Sequence, residues 1–188
     1  MSYEGFGLTY PGKPCSQRRI RAIERKIKRK LPNDYAEFIK NTGGGIVSPK
    51  NCVLEDVYLP SGVELDSNLD QIFGNGTTSN SSSNDLVDYV GFLTEEWEIP
   101  HEVLLIGHTE SGMHECFLIN YDLANFPQHS VLYLGNESDD GFVLVAESFN
   151  DFLSKLRPVP GDEEVERSPY DGQEGIHAAR GGQIGDLL

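Results

Sequence analysis

Isoleucine and leucine recur at helical spacing through Ile20, Ile23, Ile27 and Leu31, with basic residues between them and Ser16 placed as an N-cap. The pattern predicts one amphipathic helix. Pro32 disfavours helical geometry at Leu31 but suits a first helical turn, so a second helix is predicted to begin there. Its buried stripe is Tyr35, Phe38 and Ile39, and it stops near Asn41, where Gly43, Gly44 and Gly45 supply the open backbone of an exit. Apolar runs at 53–59, 103–106, 117–119, 131–134 and 142–145 are too short for helices and are bounded by turn residues, so they read as strands. Their near-continuous hydrophobicity implies a sheet covered on both faces in its middle, and the short links at Gly112 and at Asp139-Asp140-Gly141 favour antiparallel neighbours. Leu86, Val90, Leu93 and Trp97 suggest a further helix across 86–97, weakened by Gly91. Ser148 with Asp151 three residues on, ahead of Phe149, Phe152, Leu153 and Leu156, predicts the closing helix.

The expected fold is α/β of the α+β type. Residues 1–14, with Pro11 and Pro14, read as a lead-in, 15–157 as one domain, and 158–188 as an acidic tail containing Pro and Gly. The Gly, Asn, Thr and Ser run from 74 to 85 cannot repay the entropy of ordering and is expected to be a mobile loop. The 188 residues suffice for one sizeable core. No stretch approaches the roughly 18–20 apolar residues of a bilayer crossing, and the N-terminal residues carry no basic or apolar leader. The expectation is a cytoplasmic protein with no membrane partner. Cys15, Cys52 and Cys116 are odd in number and lack CxxC spacing, so no structural disulfide is expected.

Charge changes the picture more than composition does. The formal net charge is -15, yet eight of the 15 basic residues lie between Arg18 and Lys30. An acidic body repels nucleic acid and can steer a basic protein. The basic helix lacks interleaved aromatics, so its cations are expected to be solvated or paired with the acidic body, and no nucleic-acid partner is expected.

Little supports catalysis. Gly43–Gly45 follow a helix and have no Lys-Ser or Lys-Thr behind them, unlike a phosphate cradle. Glu95-Glu96 and Asp139-Asp140 are adjacent pairs whose carboxylates diverge. Ser111 is not in a nucleophile elbow, and Cys116 has no cationic neighbour except His114. His108, His114 and Cys116 lie close in sequence without the frame of a zinc site. No catalytic residue, metal or cofactor is therefore assigned. Trp97 stands among Glu95, Glu96 and Glu98 and is either an aromatic anchor for a partner or a filler of the core edge.

Ile20, Ile23, Glu24 and Ile27, then Leu31-Pro32-x-Asp34-Tyr35-x-x-Phe38-Ile39, then Asn41-x-Gly43-Gly44, together resemble the opening signature of the SUKH superfamily. Ile72-Phe73-Gly74, Ile99-Pro100, Leu104 to Gly107, Val131-Leu132-Tyr133, Val145-Ala146 and Ser148-Phe149-x-x-Phe152-Leu153 continue the resemblance. The superfamily includes fungal cell-wall regulators and bacterial toxin-immunity proteins. The resemblance implies a central, mostly antiparallel sheet of about five to six strands with helices packed around it. It also implies a cytosolic antidote to a cognate toxin domain, of basic nuclease type, or alternatively a regulatory scaffold that binds cellular proteins; it brings no catalytic residues. Charge and expected exposure single out Glu95, Glu96, Trp97, Glu98, Asp139 and Asp140 as partner contacts. The oligomeric state is left open.

Overall fold

The computed structural model describes residues 3, 6–65, 67–75, 85–135 and 141–160, with 112–114 described by their backbone only. Most of the expected mobile loop, and the tail from residue 161, lie outside the described residues.

Helix α1 (Gln17–Ile27) begins where the pattern places it, with the Ser16 hydroxyl accepting from the Arg19 N–H at 3.2 Å. It buries Ile20 and Ile23 but stops a turn earlier than the spacing implies. Lys28 turns left-handed at φ 57 and donates its N–H to the Glu24 carbonyl, while the Glu24 carboxylate accepts from the Leu31 N–H at 3.3 Å. Leu31 is buried from the connecting loop. Helix α2 (Asn33–Thr42) follows Pro32, turns Tyr35, Phe38 and Ile39 inward, and closes on Gly43 at φ 77.

The glycines after α2 do more than end it. A Cβ on Gly44 would lie 2.6 Å from the Ile72 carbonyl oxygen, and one on Gly74 would lie 2.2 Å from that of Gly43. Backbones this close admit no side chain between them.

The strands are β1 (Leu8–Pro11), β2 (Gly45–Val47), β3 (Val53–Leu54), β4 (Leu69–Ile72), β5 (Val103–Thr109), β6 (Gly112–Asn120), β7 (Val131–Gly135), β8 (Phe142–Ala146) and β9 (Leu156–Arg157). Seven form one sheet in the order β1-β2-β4-β5-β6-β7-β8, every neighbour antiparallel. The mostly antiparallel α+β fold is as expected, with a sheet slightly larger than five to six strands. The apolar run at 53–59 departs from expectation. Only Val53 and Leu54 are strand, and they pair with β9 outside the main sheet. Asp56 at φ 58 bends the chain, and Leu59 then turns back to donate to the Val63 carbonyl at 2.8 Å. Residues 8–11, within the presumed lead-in, form the edge strand β1 on β2.

Helix α3 (Asp88–Glu96) contacts β5, and the short α4 (Phe149–Ser154) contacts α2 and β8. Ser148 caps α4 by accepting from the Asp151 N–H at 3.1 Å, and the Asp151 carboxylate accepts from the Glu147 N–H at 3.0 Å. The core centres on a run of rings. Phe149 sits 4.9 Å from Tyr35 and 5.2 Å from Phe38, while Phe152 sits 5.2 Å from Phe117 of β6. Among the described residues no helix is long and apolar enough to cross a membrane.

Candidate partner-binding surface

Helix α3 turns Val90 and Leu93 into the core, which leaves Asp88, Phe92, Glu95 and Glu96 on the outward side. Residues three and four apart share a helix face, so Asp88, Glu95 and Glu96 surround Phe92. Phe92 is 58% exposed, like Tyr10 and Tyr58, but it alone of the three stands on a helix face among carboxylates. Phe92 is not among the residues singled out by charge and helical spacing; the only mark of it in the sequence is its position off the stripe of Leu86, Val90, Leu93 and Trp97.

The end of α3 is a Schellman turn built without glycine. The Glu98 N–H donates to the Glu95 carbonyl at 3.3 Å, and the Ile99 N–H donates to that of Thr94 at 3.0 Å. Glu98 supplies the left-handed residue at φ 51, and its side chain is exposed beside Glu95 and Glu96. A left-handed glutamate costs about 1–2 kcal/mol relative to its relaxed state. Glu98→Gly is therefore expected to stabilise the fold by about 0.5 kcal/mol, once glycine's greater freedom in the unfolded chain is subtracted. Urea unfolding checks this, and a destabilised variant would reveal a supporting contact of the Glu98 side chain.

Trp97 is half-buried and packs against the core, and its indole N–H is buried with no hydrogen-bond acceptor among the described residues. Its place is the edge of the core. Beside Glu95, between α1 and α3 and over the start of β5, lies a cleft of about 310 Å³ floored by Val87, Val90, Val103 and Leu104. Gly91 lines it and faces open space, since a Cβ there would meet nothing within 4 Å. Lys26, Arg29 and His101 also line the cleft, so the acidic character belongs to the outward face of α3, where carboxylates around an exposed ring can seat a protein with basic and apolar side chains.

Asp139 and Asp140 lie outside the described residues. The residues that flank them, Gly135 and Phe142, stand at the end of the strands where Glu115 lies. The link from α3 enters β5 at Val103, whose partner Asn120 marks the opposite end.

His108 and Cys116 oppose one another across β5 and β6. The His108 Nδ1 lies 2.7 Å from the Thr109 carbonyl oxygen, and burial pushes the Cys116 thiol up to about 12, which keeps it protonated and a poor metal ligand. The side chain of His114 is outside the described residues. Among the described residues no three His, Cys, Asp or Glu groups converge to hold a metal ion. On α1 and just beyond it, Arg19 pairs with Asp85, and Arg29 pairs with Asp122 at 3.1 Å and stacks on the Tyr121 ring at 4.8 Å. Arg18, Arg21, Arg25, Lys26 and Lys28 have no acidic partner among the described residues.

No curated protein matches the chain. The sequence model of the SMI1 / KNR4 family (SUKH-1) matches residues 14–155. That span opens two residues before the Ser16 cap and closes one residue after α4, taking in both opening helices, the glycine crossing and β2 to β8. The chain therefore belongs to the SMI1 / KNR4 family.

Proposed function

We propose that this chain is an immunity protein that binds and neutralises a basic, nuclease-type toxin domain, without catalysis of its own. The observation that carries the reading is Phe92, 58% exposed among Asp88, Glu95 and Glu96, with Glu98 held outward by the left-handed turn. Interfaces draw their affinity from a few aromatic anchors and their encounter rate from complementary charge, and this surface offers both. Family membership supports binding roles of the immunity or regulatory kind. The net charge of -15 favours a cationic partner over a neutral one.

The test is coexpression with toxin domains encoded beside the gene. A complex that silences the toxin and weakens with rising salt is expected. Phe92→Ala with Glu96→Gln should weaken it by about tenfold or more, equal to about 1.4 kcal/mol. Failure to bind or silence any such domain would sink the proposal.

A further inference from the structure

The second charged surface is opposite in sign. Arg18, Arg21, Arg25 and Lys28 follow one another at intervals of three, four and three residues, and so form one row along the outward face of α1 and its cap, away from Ile20 and Ile23. All four are exposed, and none has an acidic partner among the described residues. Arg25 in the last turn suits the helix dipole, but the rest of the arrangement opposes the helix's own stability. Like charges three or four residues apart repel, and Arg18 sits in a first turn that holds no acidic residue, at the positive end of the helix dipole. Lys28 completes the row from the left-handed cap at φ 57. Bound negative charge would relieve both the repulsion along the row and the clash of Arg18 with the dipole.

We propose that this row docks an extended acidic segment of a partner protein. It spans ten residue steps, roughly 15 Å at helical rise. An extended chain presents alternate side chains on one side about 6.6–6.8 Å apart, so three alternating carboxylates cover roughly 13 Å and match the row. A nucleic-acid duplex matches it less well, because its charge continues past the row at one phosphate per about 1.7 Å. Beyond the eight cations between Arg18 and Lys30, only seven of the 15 Lys and Arg remain to set against 30 Asp and Glu. A short acidic segment ends before it meets that repulsion.

The probe is a labelled six-residue peptide of alternating Gly and Glu, whose three carboxylates match the row, read by fluorescence anisotropy with the full chain at about 0.1 M salt, where the screening length is near 10 Å. The peptide should bind and raise the melting temperature. Arg21→Gln with Arg25→Gln should weaken binding at least tenfold. Lys13→Gln with Lys50→Gln, which removes the same charge elsewhere, should change it less than twofold. Gln matches Arg in helix propensity, and circular dichroism confirms that each variant folds. Absence of binding, or equal losses in the two double variants, would overturn the proposal. So would tighter binding of a 12-base-pair duplex, or row-dependent self-association in sedimentation, which would assign the row to nucleic acid or to a second copy. Binding seen only after Asp162, Glu163, Glu164 and Glu166 are neutralised would put the chain's own acidic segment there instead.

Discussion

Phe149→Ala is expected to lower the unfolding free energy by about 3–5 kcal/mol, with the urea m-value unchanged. The side chain is fully buried, at 0% exposure, and meets Tyr35 and Phe38 of α2 edge-on, with Phe152 at 6.0 Å. Truncation opens a cavity where α2, α4 and the sheet converge. The neighbouring rings cannot collapse into it freely. Tyr35 is tied by its hydroxyl, which donates to the Phe73 carbonyl at 2.8 Å, and Phe38 is wedged by Tyr3 at 5.5 Å and Phe6 at 5.4 Å. Total stabilities of single domains are of order 5–15 kcal/mol, so this one change consumes a large part of the whole. Phe142→Ala, at a half-buried position opening β8, serves as the control and should cost markedly less. A loss at Phe149 no greater than the control's would mean that the ring cluster does not centre the core.

The same cluster explains what was readable in the sequence. Phe149, Phe152 and Leu153 announce α4 because their helical spacing coincides with a side-chain cap at Ser148, so two independent local signals agree. The long runs that became β5 to β8 were equally plain, because each strand carries its own hydrophobic signal. Strands β1, β2 and β4 were not. They hold four, three and four residues, include Pro11 and Gly45, and exist because neighbours across the sheet satisfy their backbones. The triple glycine was legible as a helix stop, whereas its close approach to Gly74 joins positions distant in sequence, which no local pattern records. In the candidate site, the exposure of Glu95, Glu96 and Glu98 followed from their charge. The left-handed turn at Glu98 did not, because the sequence puts glutamate where glycine would signal it. Arg19 illustrates the remaining gap. Its partners Asn75 and Asp85 flank the segment 76–84 and lie far along the chain, so the expectation that the helix's cations pair with the acidic body held at Arg19 and Arg29 while the outward row stayed unpaired.

Stability should fall steeply above pH 9. Burial pushes the Cys15 thiol up to about 11 and the Cys116 thiol up to about 12, from an ordinary value of 9.0. Burial also raises Tyr35 well above its usual range and Tyr121 above its own. Each of these groups is neutral when protonated, so the folded chain holds its proton more tightly than the unfolded chain does. Below pH 9 both states keep the proton, and the full stability is present. Above it the unfolded chain ionises first, binds fewer protons than the native state, and is stabilised relative to it with every further unit. Two thiols each contributing about 1.36 kcal/mol per pH unit give a loss of order 5 kcal/mol between pH 9 and 11, and the tyrosines add to it above pH 10. Urea unfolding under reducing conditions, followed from pH 8 to 11, measures the slope directly. Cys15→Ala with Cys116→Ala should start from a lower stability at pH 8, because two core side chains are trimmed, yet lose much less between pH 9 and 10. If the double variant kept the wild-type slope over that unit, the thiols would not be its source, and the solvent exclusion that the structure assigns to both would be wrong.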